Sequence, residues 1–513
     1  MIRSFATHMT CLAMLLAAGL AVPAPADEAP GDLAELHAQL DELFSHERYS
    51  HAIWGVRVET LDGEVVYDRN GETNLLPASN LKVVTSAAAH ELLGPDFLYE
   101  TTLEALGYID QEGVLHGHLL ITGSGDPTLG SWHPDREQNS AQVFERWTEA
   151  LREAGISEVR GNVIGDGRIF NEDFTSPYWE EVHRSWWYVA GSSGLAMEEN
   201  AYRVFIRPGE EPGDPAELEF VPDTGYMTII NNTRTVPAGE RSNADSTWRE
   251  SRGNTVLFEG DIALDREVIN ERGSIYDGER YAAFLFKEAL ARADLPVHGE
   301  AVNIRSLQII EEIDGWPEDS RRLLDTITSR PMPVILDVIN KPSHNFYADM
   351  VLRTMGAHFG EEGGFAAGAA VVRDWMEGIG VPDAGSFQMA DGSGMARFNM
   401  VQPRQLTYIL AYMRRQSPEG CAFHGSLVIA GEEGGLRNRL AGEDERGRVR
   451  AKTGYIRYAR TFSGYVESAD GQELVFSMMC NNHVISNTYV NATQDDALRI
   501  LMRTDLGALL AGE

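Results

Sequence analysis

Helical and strand periodicities are segregated along this chain, and that segregation constrains its fold more than any single motif. Asp32 to Phe44 carries Leu33, Leu36, Leu40 and Leu43 at helical spacing. Trp54 to Thr60 then alternates like a strand, Asp62-Gly63 turns, and Glu64 to Tyr67 returns as its hairpin partner. Ser79 to Leu93 is Ala-rich, with apolar residues at 81, 84, 88 and 92 and a stop at Gly94-Pro95, which predicts a mostly buried helix. From about 99 to 310 the texture changes to short alternating runs broken by Gly, Asp, Pro and Asn: Val114–Thr122, Val159–Asp166, Ala201–Pro208 and Thr228–Asn232. Two helices are expected inside that stretch, Ala141–Ala154 and Glu279–Ala293. Helical patterns resume at Ser320–Thr326, Asn345–Phe359, Gly368–Gly378 and Gln402–Met413. Strands are expected at Val449–Gly454, Thr461–Glu467 and Glu473–Met479, with Asp470-Gly471 as a hairpin turn, before a last helix over Asn491–Leu510. The order predicts an α/β domain formed by 27–98 and 311–513. A mainly β insertion over 99–310, read as two small modules, splits it.

The first 26 residues read as an export signal. Arg3 is followed by an apolar run from Cys11 to Ala21, and Ala24-Pro25-Ala26 has the small-x-small form of a cleavage site. The run is too short to span a bilayer comfortably, so the mature chain is expected to be periplasmic, with no membrane anchor after cleavage near Ala26. A net charge of −35 opposes general binding to nucleic acids or anionic membrane surfaces. Two cysteines remain after cleavage, Cys421 and Cys480. They are either a pair or two thiols, and not a disulfide framework.

Only four lysines occur among 43 basic residues: Lys82, Lys287, Lys341 and Lys452. The scarcity fits base-composition bias in the genome, under which a surviving Lys can sit where Arg cannot substitute, because an amine can lose its proton and act as a base and guanidinium cannot. Ser79 and Lys82 are i and i+3 on one helix face. A hydroxyl needs a base within hydrogen-bond reach, and a desolvated Lys amine can be that base near neutral pH. A helix N-terminus also offers N–H donors to a developing oxyanion. Ser343 and Asn345 in Lys341-Pro342-Ser343-His344-Asn345 fit either a helix N-cap or a pair of groups facing a cleft. Lys452-Thr453-Gly454 combines a cation, a hydroxyl and a residue that lets a substrate backbone approach.

Taken together, S-x-x-K, S-x-N and K-T-G occur in the order found in penicillin-binding proteins and class A β-lactamases. The flanking segments Pro77-Ala78-Ser79-Asn80-Leu81-Lys82, Gly123-Ser124-Gly125-Asp126-Pro127-Thr128-Leu129 and Asp391-Gly392-Ser393-Gly394, with Arg397, Asn399 and Pro403, make the sequence resemble low-molecular-mass class C D-alanyl-D-alanine carboxypeptidases of peptidase family S13, over roughly residues 75 to 480. The resemblance implies the serine β-lactamase/penicillin-binding α/β fold, an antiparallel sheet flanked by helices and split by the insertion. It implies peptidoglycan stem peptides as substrates, β-lactams as inhibitors, and no metal or organic cofactor. It assigns Ser79 as nucleophile, Lys82 as base, and Ser343 as proton relay to the leaving amine, helped by Lys452. Asn345 would hold the acyl side-chain amide and contact Lys82. Lys452 and Thr453 would bind the terminal carboxylate beside Gly454, and the N–H groups of Ser79 and Tyr455 would form the oxyanion hole.

Two positions depart from the family pattern. His344 stands where Asp is usual and is expected to face solvent. Tyr455 stands where Thr or Ser is common. Arg457 and Arg460 read as surface charges, the alternative being support for the carboxylate site in this acidic chain. His116-Gly-His118 has no third ligand nearby and reads as structural. Competing readings are a β-lactamase or esterase on the same fold, which would turn over a cephalosporin rapidly, and a non-catalytic wall-binding protein, in which Ser79 would be dispensable. The oligomeric state is left open by the sequence.

Overall fold

The computed structural model describes residues 29–133, 138–306, 308, 313, 317 and 320–510, and the expected export signal lies outside them. The chain forms two compact units. One contains the described residues up to Pro77, Gln402–Ala411 and the chain from Val428 onward; the other contains Ala78–Val401 and Tyr412–Leu427.

The first unit is built on a six-stranded antiparallel sheet. Its order is Val428–Ile429, Val449–Ile456, Ala459–Glu467, Glu473–Asn481, Ile53–Thr60, Val65–Arg69. Helices Leu33–Phe44 and Asn487–Arg503 supply Leu36, Leu40, Phe44, Leu498 and Leu501 to one core with Val56, Phe462 and Phe476 of the sheet. The first helix starts where Asp32 caps it, accepting from the Glu35 N–H at 2.8 Å. The last long helix begins at Asn487, earlier than its apolar spacing predicts, because Ser486 caps it; a separate turn of helix, Leu506–Leu510, follows.

The second unit has a helical and a β part. Helices Leu81–Leu92, Met332–Asn340, Asn345–Phe359, Phe365–Gly378 and Gly420–Ser426 pack together, and Ala87, Ala88 and Ala89 are fully buried. A mixed sheet runs in the order Ala301–Asn303, Val163–Asp166, Val114–Gly123, Glu100–Ile109, Arg321–Thr328, with Glu158–Val159 beside Val114. Two three-stranded sheets accompany it, one centred on Ala201–Arg207 and one on Thr255–Ala263. Helices Ser140–Glu153 and Gly278–Arg292 join the β core through Trp147, Leu151, Tyr281 and Phe286.

The helix expected at 320–326 is instead the strand Arg321–Thr328, paired antiparallel with Glu100–Leu106. Its short apolar run fits either period, and pairing with a neighbouring strand decides the outcome. Met332–Asn340 is a helix that apolar spacing did not reveal; Pro331 precedes it and Pro333 sits in its first turn.

Arg353 ties the helix Asn345–Phe359 to the loops around it. Its side chain is fully buried and donates to the Ser192 carbonyl at 2.6 Å, the Asn171 carbonyl at 2.9 Å and the Gly363 carbonyl at 3.1 Å. The guanidinium lies 4.6 Å from the Phe170 ring centre. Replacing it by Met would leave these acceptors buried without a donor. Arg353→Met is expected to destabilise this unit by about 3–5 kcal/mol, measured by urea denaturation, and Arg353→Lys would restore only part of the loss because an ammonium cannot span three loops.

Candidate active site

Ser79 lies in a 3₁₀ turn, Ala78–Asn80, that leads directly into the helix Leu81–Leu92. The sequence pattern places it in the first α-helical turn. The structure starts the α-helix two residues later, and Ala78 adopts a left-handed φ of 47°. That conformation is disfavoured for a residue with a Cβ and needs the surroundings to hold it. Ser79 is partly exposed, whereas Lys82 one turn on is fully buried.

The Lys82 amine sits within reach of three oxygens. Nζ is 3.0 Å from Ser79 Oγ, 2.8 Å from Asn345 Oδ1 and 2.6 Å from the Ser393 carbonyl. Burial lowers its pKa to about 8, against the opposing pull of Asp349 and then Asp391. A neutral amine has two N–H donors and one lone pair. With the two carbonyl-type oxygens taking the donors, the lone pair is left for the Ser79 hydroxyl, the arrangement a general base requires.

Asn345 opens the helix Asn345–Phe359. The capping alternative does not hold for it: its amide oxygen accepts from Lys82, and its Nδ2 donates to the Tyr188 carbonyl at 2.9 Å. Ser343, two residues before, is partly exposed with a left-handed φ of 63°. His344 does not face solvent as expected. It is 6% exposed, and its Nε2 lies 2.9 Å from Oε2 of the buried Glu199. Burial opposes ionisation of Glu199, but the His344 charge and hydrogen bonds from His344 and Ser131 bring its pKa down to about 2.

Two carboxylates that sequence reasoning gave no role frame the lysine. Asp391 accepts from the N–H groups of Gly394 and Ala396, from Asn399 Nδ2 and from Trp179 Nε1, at 2.6–2.8 Å. This knots the loop that presents the Ser393 carbonyl to Lys82. Asp349 Oδ1 accepts from the N–H groups of Gly392 and Ser393 at 2.8 and 3.0 Å. Burial, then the charge of Asp391, pushes the Asp349 carboxyl well above the usual carboxylate range, while Lys82 pulls the other way. The available signal for Asp349 is an acid on the buried stripe of a helix; Asp391 stands inside the Asp391-Gly392-Ser393-Gly394 segment, but its bonding is not readable from spacing.

The remaining candidates lie in the first unit, on the strand Val449–Ile456. Ala451 belongs to the helix-covered core, so alternation puts Lys452 on the opposite face of the sheet, paired with Ser463. Lys452 is 1% exposed and its Nζ donates to the Thr453 carbonyl at 3.0 Å. Gly454 is buried, Thr453 is partly exposed, and the Tyr455 ring is 53% exposed. Arg460 is not a free surface charge: it is partly buried and its Nε donates to Asn491 Oδ1 at 2.7 Å, whereas Arg457 is exposed with its guanidinium 4.9 Å from the Tyr458 ring centre. His116 bonds Asp110 at 2.7 Å, and His118 Nδ1 accepts from the Asn162 N–H at 2.9 Å. Cys421 is exposed, Cys480 is buried, and both are free thiols.

Gly394 has a φ of 86°, and a Cβ there would lie 1.8 Å from the Ala78 carbonyl oxygen. The Lys82-binding loop and the turn that carries Ser79 thus meet at a contact only glycine permits. Gly394→Ala is expected to lower the rate of Ser79 acylation at least tenfold while the far-UV circular dichroism stays unchanged; wild-type kinetics in that variant would remove the packing argument.

Comparison with known proteins agrees with this geometry. The fold matches a solved structure of penicillin binding protein 4 (dacB) from Haemophilus influenzae, with a TM-score of 0.78 and 20% identity over 90% of this chain and 99% of that one. A second structure of that protein, complexed with a β-lactam, matches with a TM-score of 0.71 and 21% identity over 89% of this chain and 97% of that one. The fold is therefore the penicillin-binding α/β fold. A D-alanyl-D-alanine carboxypeptidase of Actinomadura sp. (strain R39) is 30% identical over 477 residues, 90% of this chain and 84% of that protein. D-alanyl-D-alanine carboxypeptidase DacB of Haemophilus influenzae is 23% identical over 423 residues, 82% and 83% of the two chains. The model of the D-Ala-D-Ala carboxypeptidase 3 (S13) family matches residues 36–504, and this chain belongs to that family.

Proposed function

We propose that this protein is a serine-type D-alanyl-D-alanine peptidase acting on peptidoglycan stem peptides. The observation that carries the reading is the buried Lys82 amine held 3.0 Å from Ser79 Oγ, in a chain of the S13 family. Ser79 Oγ attacks the carbonyl carbon of the penultimate D-alanine, and its proton passes to Lys82 Nζ. The tetrahedral intermediate collapses to an ester on Ser79, and the leaving amine takes a proton relayed through Ser343, with Lys452 assisting. Water then hydrolyses the ester. The family resemblance assigns Lys452 and Thr453 to the substrate carboxylate, Gly454 to close backbone approach, Asn345 to the acyl-side amide, and the N–H groups of Ser79 and Tyr455 to the oxyanion.

The same steps serve a carboxypeptidase, which releases terminal D-alanine, and an endopeptidase, which cuts a crosslink on the carboxyl side of D-alanine. A β-lactam acylates Ser79 by the same attack, its ring opening in place of amine departure. We place the protein in the periplasm after removal of residues 1–26. Among the described residues no helix is long and apolar enough to cross a membrane. We read 99–310 as an insertion within a peptidase domain formed by 27–98 and 311–513.

Intact mass after brief incubation with benzylpenicillin tests the reading. One stable adduct is expected on the wild type and none on Ser79→Ala. Hydrolysed drug without an adduct would favour a β-lactamase, and intact drug without an adduct would remove the acyl-enzyme reading. Lys452→Ala is expected to raise KM for a D-Ala-D-Ala peptide at least tenfold, in a D-alanine release assay, because it deletes a charge-assisted contact to the carboxylate; an unchanged KM would take Lys452 out of substrate binding.

A further inference from the structure

His344 stands between the two residues of the second motif that the proposed reaction uses, and everything around it is built to hold it. Its Nε2 bonds Glu199, which is 3% exposed. The other oxygen of Glu199 accepts from Ser131 Oγ at 2.6 Å, and that hydroxyl accepts from Tyr347 OH at 2.7 Å. Tyr347 lies on the same helix as Asn345, with its ring 4.8 Å from the His344 ring. The pair therefore closes a loop of contacts from the motif to Glu199 and back to the motif's own helix.

Glu199 is itself placed by an improbable backbone. Glu198, Glu199 and Asn200 all adopt left-handed φ, at 53°, 57° and 51°. Consecutive left-handed residues with side chains persist only where the surroundings over-determine them. Each of the three is anchored by its side chain: Glu198 accepts from Ser140 Oγ, Glu199 holds His344 and Ser131, and Asn200 Nδ2 donates to the Gly191 carbonyl at 2.8 Å. The facing side of His344 is also fixed. Trp187 packs against its ring at 5.6 Å, and the next residue, Tyr188, accepts from Asn345 Nδ2. One 3₁₀ turn, Trp187–Val189, thus grips both His344 and Asn345.

We infer that His344 and Glu199 form a buried positioning pair that sets Ser343 in its left-handed conformation and aims the Asn345 amide at Lys82, so that acylation of Ser79 depends on a contact between the second motif and the turn 198–200. The inference rests on the proposed peptidase reading. His344 touches neither substrate nor the reacting atoms in this account. Its larger effect is on the rate constant of acylation, because the carboxylate contacts assigned to Lys452 and Thr453 are separate from it, and initial binding changes only through the Asn345 contact to the acyl-side amide.

Acylation by benzylpenicillin, followed by quenched-flow mass spectrometry over a range of drug concentrations, separates the two quantities. His344→Leu is expected to lower the saturating acylation rate at least tenfold while the half-saturating concentration changes less than threefold. His344→Gln, whose Nε2 can replace the ring donor to Glu199, is expected to stay within threefold of wild type. If His344→Leu does not fold, His344→Asn decides, because its amide stops short of Glu199 while the pocket stays polar; it should show the tenfold loss. Wild-type acylation in His344→Leu or His344→Asn, or a His344→Gln variant as slow as the Leu variant, would overturn the pair. A wild type that takes no adduct would instead overturn the peptidase reading beneath it.

Discussion

The buried amine of Lys82 is the constraint around which the rest of this site is arranged. A charged ammonium removed from water is costly unless fully compensated, so burial biases the group toward its neutral form. The surrounding oxygens limit how far that goes: Ser79 Oγ, Asn345 Oδ1 and the Ser393 carbonyl satisfy every N–H of either protonation state. The site therefore tolerates both forms, as a group that takes a proton and returns it must. Charge nearby sets the balance. Burial lowers the basicity of the amine while Asp349 and then Asp391 hold it up, the balance that the proposed base role needs.

Placement of those oxygens is a matter of backbone. The Ser393 carbonyl is presented by a loop that Asp391 ties with four hydrogen bonds, and the loop meets the turn that carries Ser79 where Gly394 abuts Ala78. Ala78 and Ser343 are both left-handed, and each adjoins or carries a group of the proposed reaction. Strain of this kind costs on the order of 1–3 kcal/mol per residue and has to be repaid by the packing around it. The helix Leu81–Leu92, buried from Leu81 to His90, and the Arg353 anchor on the helix Asn345–Phe359 provide that packing.

Much of this was legible in the sequence, for physical reasons that can be named. The strands at 53–60, 449–456, 459–467 and 473–481 announce themselves by period-two patterning and by turns at Asp62-Gly63 and Asp470-Gly471. Scarcity of lysine points to four positions, the motifs select Lys82 and Lys452 among them, and i,i+3 spacing pairs Ser79 with Lys82. What failed had no local signal. The strand Arg321–Thr328 owes its state to a partner more than 200 residues away in sequence. His344 looked like a solvent-facing substitution, because its partner Glu199 is 145 positions away and sits on a left-handed turn that no periodicity marks. Asp349 was hidden inside a helix whose neighbours are all buried. Long-range pairing of polar groups is the information that spacing does not carry.

We propose that Lys82 acts as a base because burial lowers its pKa to about 8. The direct measurement is the acylation rate constant of Ser79 as a function of pH, taken with benzylpenicillin in a range where the protein stays folded. The rate should rise as the amine loses its proton, with a limb centred at about 8, and then level off. A limb centred near 10, the range of an exposed lysine, or a rate that does not change with pH, would contradict the account.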